Sequence, residues 1–344
     1  MLSSTQCQLK LSAIATALIE ALGTLPALAS ASGLAAPSYR LDTIPEQNGV
    51  TPTYAFAINN LGVAVGRAEV KGDDALSVFK YENGTVTLLK GSRAGYVGGI
   101  NDAGEVSGTV SSGGQFTAAM WTAAGELQLV GPVRSAGGAI NSKHQVVGYA
   151  EVGGQDHAAL FSGGTFTDLH GLGQYSHATS VNSNGKVAGY FVDASGQYHG
   201  FAWQSGVMRE VCKYDGAIYT LARAVNHKGQ VLCEVDTADK RDIALIEDDD
   251  GVQHLIPGVR GNGLLPNSMN NFGENTGRAY PRKAPYYSTG SKTYYLINLV
   301  TVNAGDWAKL QYASDINRGG QIVGWGRSSS GTQRAYVATP LSVR

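Results

Sequence analysis

From Tyr54 onward the chain alternates short apolar runs with polar, glycine-rich breaks, and the alternation keeps a fixed beat. A small apolar run such as AFAI (55–58), GGAI (137–140) or ARAV (222–225) leads each time to an Asn preceded by Ile, Val or Met. That Asn recurs as Asn59, Asn101, Asn141, Asn182, Asn226, Asn270 and Asn317, at spacings of 42, 40, 41, 44, 44 and 47. Three residues later stand Gly62, Gly104, His144, Gly185, Gly229, Gly273 and Gly320; seven later stand Gly66, Gly108, Gly148, Gly189, Cys233, Gly277 and Gly324. Asn-x-x-Gly between two apolar, β-branched stretches is the chemistry of a tight hairpin loop, because Asn bonds its own backbone and Gly accepts positive φ. His144 fits the slot, since His is among the few non-glycine residues enriched at positive φ.

After the hairpin comes a polar break and a third run: ALSVFKY, TAAMWT, HAALFS, HGFAWQ, IALIE or RAYVA. A short turn leads to a fourth, such as TVTLLK, ELQLV, TFTDLH, VMREV, VQHLI or KTYYLI. The i, i+3, i+4 periodicity of helices is absent after the leader. Four short antiparallel strands in each of seven units predict an all-β fold, a seven-bladed β-propeller. An open solenoid is the rival, but the last unit holds only three strands, and YRLDTIP (39–45) reads as an orphan fourth strand that closes the ring and removes exposed edges. The propeller is therefore assigned to 39–344, with the unit around Asn270 the most degenerate. Trp121, Phe161 and Trp203 are expected to fill the wedges between blades.

A His-Ala-Phe-like third strand, following Ile-Asn-x-x-Gly-x-Val-x-Gly, resembles the bacterial extracellular repeats known as the HAF family. The strand survives best as HAALF (157–161) and HGFAW (199–203) and drifts elsewhere, as in TAAMW and DIALI. The resemblance spans nearly the whole mature chain. It implies export, and it implies no particular reaction or ligand.

The N-terminus supports export independently. Residues 1–31 read as a signal peptide, with an apolar run after Lys10 ending in small residues near Ala29 and Ala31, and 32–38 as a linker. Cys7 precedes the run, which argues against a lipoprotein anchor. No later segment is long and apolar enough for a membrane span, so the expected location is secreted, extracellular or periplasmic. A net charge of −1 with only 15% charged residues excludes nucleic acid as a partner on bulk electrostatics. A monomer is the expected state.

Strand direction puts the one-to-two and three-to-four turns on one face, and the two-to-three and long four-to-one connections on the other. The long connections gather Arg93, Tyr96, Arg134, Tyr175, His177, Tyr219, Arg223, Arg260, Trp307 and Tyr312 as candidate ligand-binding residues around one mouth. Variable loops on a rigid scaffold are where binding sites are built. Arg forks grip carboxylates and aromatic rings cover sugar faces, so a glycan or cell-surface polymer is the expected partner, without catalysis. One alternative is a polysaccharide lyase in which Arg134 or Arg93 holds a uronate while His177 or Tyr175 takes a proton. A second is a protein-interaction scaffold.

Other chemistry is weak. The Gly-x-Ser-x-Gly, His-Glu-x-x-His and Gly-x-x-x-x-Gly-Lys patterns are missing. EDDDG (247–251) lacks the alternate ligands of a calcium loop and reads as a solvated acidic turn, so no metal and no cofactor is expected. His157 and His199 recur with their strand and read as structural. Cys212, on a fourth strand, and Cys233, on the next unit's second strand, are expected to lie too far apart to bond.

Overall fold

In the computed structural model, which describes residues 36–239 and 241–341, the beat of apolar runs folds as seven sheets. Six are four-stranded, with strands paired in sequence order; blade 4, for example, is Tyr175–Val181, Val187–Val192, Tyr198–Gln204 and Val207–Glu210. The first strands of the blades line a narrow central channel with small residues such as Gly98, Gly99, Ala139 and Ser180. The seven-bladed β-propeller read from the sequence is the architecture observed. Among the described residues, no helix is long and apolar enough to cross a membrane. The leader assigned to 1–31 lies outside the described residues.

The ring closes as expected. Tyr39–Thr43 pairs antiparallel with Gln333–Pro340 and supplies the missing fourth strand of blade 7. Tyr39 and Leu41 are fully buried there, and the Tyr39 hydroxyl donates to Gly320 O at 3.2 Å. Val300–Val302, in the connection from blade 6, adds a fifth, parallel strand outside it. This addition was not foreseen.

The repeated Asn does more than shape its own turn. Each is buried, and its side-chain oxygen accepts amide hydrogens within its own hairpin: Asn182 Oδ1 takes those of Asn184 (2.9 Å) and Lys186 (3.0 Å). Its Nδ2 meanwhile donates to the backbone oxygen of the next blade's Asn. The bonds run Asn59 to Asn101 (3.0 Å), Asn101 to Asn141 (3.1 Å), Asn141 to Asn182 (2.9 Å) and Asn182 to Asn226 (2.9 Å). They continue from Asn226 to Asn270 (3.4 Å), Asn270 to Asn317 (3.1 Å) and Asn317 back to Asn59 (2.9 Å). The result is a closed circle of interblade hydrogen bonds. Asn supplies both acceptor and donor from separate atoms, a carbonyl oxygen that takes the hairpin amides and an NH2 that reaches the next blade.

The closing glycine also has a cause beyond the turn. A Cβ on Gly148 would lie 1.9 Å from Ala136 O, and one on Gly66 1.9 Å from Tyr54 O, because the bulged first strand presses its carbonyl against that position. A Cβ on Gly189 or Gly66 would also meet a third-strand ring, Phe201 or Phe79, at 2.7 Å. The wedge between blades is thus filled in two ways. Blades 1, 4, 6 and 7 place Phe79, Phe201, Tyr286 and Tyr336 opposite the glycine, whereas blades 2 and 3 place alanine there and fill with Trp121 and Phe161 two residues later. Trp121 and Phe161 are buried as expected; Trp203 is only partly buried, because Phe201 already occupies the wedge of blade 4.

Cys212 and Cys233 form a disulfide, which overturns the expectation that they lie apart; their Cα atoms are 5.5 Å from each other. Cys212 is not on the outer strand, which ends at Glu210. The following chain turns inward: Val211 N donates to Gly200 O (2.8 Å) and Cys212 N to Glu247 Oε2 (2.8 Å), with Cys212 at φ 63°. This carries the sulfur between blades 4 and 5, onto the inner strand Val231–Thr237. The acidic turn is exposed at Asp249 and Asp250 as expected, but Glu247 is buried and the turn has hydrogen-bond partners. Asp248 accepts from Gln230 (2.7 Å), and Asp249 from the buried Lys186 (2.6 Å).

Candidate functional site

The channel has two unlike ends. At the short-turn end, the Asn circle frames a polar funnel of about 460 Å³ lined by residues that follow each Asn, among them Asn60, Asp102, Ser183 and His227. At the other end, two positions per blade define the mouth. One lies five residues before the repeated Asn, on the first strand; the other lies eight after it, on the second, and the two are register partners. The pairs are Tyr54 with Arg67, Tyr96 with Thr109, Ala136 with Tyr149, His177 with Tyr190, Leu221 with Glu234, Leu265 with Arg278, and Tyr312 with Trp325. Four of the second-strand residues reach the next blade: Arg67 covers Tyr96, Tyr149 stacks on His177, Arg278 covers Tyr312 and Trp325 meets Tyr54.

Blades 3 to 5 carry a hydrogen-bonded aromatic arc with carboxylates. His177 stacks on Tyr149 at 4.2 Å; its Nε2 bonds Asp156 (3.1 Å) and its Nδ1 bonds the Tyr190 hydroxyl (3.0 Å). Burial lowers its pKa, against the pull of Asp156. The Tyr175 hydroxyl donates to Tyr198 (2.9 Å), and Tyr198 packs on Tyr190 and Tyr219. The bond to Tyr198 pushes Tyr175 up to about 12, and burial does the same to Tyr190 and Tyr219. These hydroxyls are therefore neutral at physiological pH. Arg223 is held by the buried Glu234 at 2.7 Å. Asp236 lies nearby, and burial pushes Asp242 up to about 6, helped by its contact with Asp236.

Blades 6, 7, 1 and 2 carry the other arc. Tyr312 and Trp325 stack in parallel, 4.3 Å between centroids and 7° between planes. Trp325 stands edge-on to Tyr54 and tilted to Phe56, both at 5.4 Å. Arg278 lies 5.2 Å over the Tyr312 ring and Arg67 4.4 Å over the Tyr96 ring.

Of the residues picked from sequence, Tyr96, Tyr175, His177, Tyr219, Arg223 and Tyr312 come together at this mouth. Arg93 and Arg134 sit on its rim, already paired with Asp73 and Asp74 and with Glu151. Arg260 is exposed at φ 52° in the connection from blade 5 to blade 6. Trp307 is buried in the core of blade 7, edge-on to Tyr336. His157 and His199 each clasp the acid at the end of the neighbouring fourth strand, Asp168 and Glu210, at 2.9 Å. Among the described residues, no cluster of three or more His, Cys, Asp or Glu is arranged to hold a metal ion.

Sequence reasoning missed Tyr54, Arg67, Tyr149, Tyr190, Tyr198, Arg278 and Trp325. The signal for most of them was available. The residue just after the fixed glycine is the one slot beside the repeat that holds Arg, Thr, Tyr, Glu or Trp. It varies because it faces the mouth, while its neighbours on the strand face the core.

No family model and no curated protein matches the chain. Solved structures do. The β-propeller domain of the Trilobed protease from Pyrococcus furiosus, described as having an open velcro topology, is 8% identical with a TM-score of 0.57, over 89% of this chain and 98% of that one. A catalytically inactive virginiamycin B lyase from Staphylococcus aureus, with quinupristin, is 11% identical with a TM-score of 0.54, over 88% and 99%. TolB from Acinetobacter baumannii is 10% identical with a TM-score of 0.46 over 85% of this chain, which spans 64% of TolB. At such identities the likeness is one of fold: the chain is a β-propeller like its neighbours, with its own first strand closing the ring.

Proposed function

We propose that the long-loop mouth recognises a glycan or cell-surface polymer, in an exported protein of the HAF kind. The observation that carries this is the belt of half-buried rings, Tyr54, Tyr149, Tyr190, Tyr198, Tyr219, Tyr312 and Trp325, around one end of a rigid channel. Such rings present an apolar face for a pyranose and, on the tyrosines, a hydroxyl that both donates and accepts. A glycan array probed with the mature protein and with Tyr198→Ala tests it. Binding lost in the variant supports the reading, and a silent array beside capture of one specific protein favours a protein-interaction scaffold instead.

The His177–Asp156 pair favours a second reading, a lyase or other glycan-active enzyme. Its geometry counts against it. Both ring nitrogens of His177 are engaged, so a proton would have to enter through the Tyr190 hydroxyl. Burial pushes the Tyr190 hydroxyl up to about 12, so it holds its proton at neutral pH. Absorbance of new double bonds on polyuronates would reverse this preference.

A further inference from the structure

The two arcs of the mouth differ in how their charges are compensated. On blades 3 to 5, Arg223 has Glu234, and Asp156, Asp236 and Asp242 add negative charge. On the rim, Arg93 and Arg134 have their own carboxylates. Arg67 and Arg278 have none: no hydrogen bond or ion pair holds either guanidinium among the described residues, and the Nε of each is buried without a partner. Each rests only on a ring, Tyr96 or Tyr312. A buried N–H left unmade costs about 1–3 kcal/mol, more when charged. Two such groups flanking the same blade are therefore poised for an acceptor from outside the chain.

Between them lies blade 7, whose Trp325–Tyr312 stack is continuous with Tyr54, the register partner of Arg67. We infer that the ligand is a uronate-bearing glycan, one sugar ring packing on the aromatic stack of blade 7 and its carboxylate taken by Arg278 or Arg67. The planar carboxylate of a uronate matches the guanidinium fork. The carboxylates of blades 3 to 5 repel the same group, so they orient the chain of sugars as well as admit it. This rests on the glycan reading of the mouth and adds the charge and position of the recognised group.

Titration calorimetry with tetramers of galacturonate and mannuronate, against tetramers of galactose and mannose, tests it. The wild type should bind the uronates at least about tenfold more tightly, as one charge-assisted bond provides, and the advantage should shrink with added salt. Arg67→Gln/Arg278→Gln should erase the advantage while leaving neutral binding, whereas Arg93→Gln on the rim should keep it. Should the double variant fold poorly, Arg67→Lys/Arg278→Lys keeps the charge without the fork and should lose part of the gap. Equal affinity for uronate and neutral tetramers, an unchanged gap in folded variants, or a preference for sulfated tetramers overturns this inference and leaves the glycan reading standing. Failure to bind any tetramer overturns both.

Discussion

The two ends of the channel are built from the same hairpins and obey opposite rules. At the short-turn end every blade offers the same Asn, because each side chain must bond the next blade and one gap would open the circle. At the long-loop end, nine residues of chain away at most, the residue eight after that Asn is Arg, Thr, Tyr, Tyr, Glu, Arg or Trp. Repetition marks the positions where neighbouring blades hold each other. Variation marks the positions where the backbone is already fixed and the side chain faces the mouth, so the site stands one residue beyond the most constant glycine.

Substitution at the two ends should separate them most clearly. Asn182→Ala removes the bond to Asn226 and leaves the amides of Asn184 and Lys186 without their acceptor. Two of the three, the Asn226 carbonyl and the Lys186 amide, are buried; at about 1–3 kcal/mol each, the loss should be about 3 to 4 kcal/mol. Tyr54→Ala, at a half-buried mouth position, should cost about 1 kcal/mol, near the centre of the range for point substitutions. Chemical denaturation of both variants checks the contrast, and equal losses would erase the distinction between a structural end and a free one.

The next largest effect concerns how much the seams between blades rely on the Asn circle alone. The buried Cys212–Cys233 bond reinforces the seam between blades 4 and 5 across a sequence separation of 21 residues. Closing a loop of that size restricts the unfolded chain by about 3 kcal/mol. Cys212→Ser/Cys233→Ser should lower stability by about that amount with ligand binding at the mouth preserved. A loss of binding without a loss of stability would place the bond in the service of the site instead.

The fold was legible because its cause is repetitive: hairpin, glycine and third-strand aromatic recur, and Tyr39–Thr43 completes the count of strands. The disulfide was not, because strand labels place Cys212 at the periphery while the bond from Val211 to Gly200 draws it inward. Half of the site was legible through Tyr96, Tyr175, His177, Tyr219, Arg223 and Tyr312. The other half, Arg67, Arg278 and Trp325 above all, sits inside strands rather than in the long connections where variable residues were sought. Trp307 shows the converse error, a loop aromatic that packs inward.

The smallest expected effect is a difference in how the two ends answer pH. On the short-turn face, the bond from Lys186 holds the Asp249 carboxyl below its ordinary value. Its unfolded form binds a proton more readily than its folded form, so its contribution is present above about pH 4 and is lost as pH falls through the lower folded value. At the mouth, burial pushes Asp242 up to about 6, and the folded form now binds the proton more readily. Its contribution is present below about pH 4 and is lost as pH rises through about 6. Asp242→Asn should therefore flatten the decline in stability between about pH 4 and 6, by a modest amount because Asp242 is partly open to solvent. Asp249→Asn should leave that window unchanged and act only under strong acid. Thermal midpoints measured from pH 3 to 8 on both variants distinguish the two; a change between about pH 5 and 6 in Asp249→Asn would mean that the ends of the channel titrate as one system.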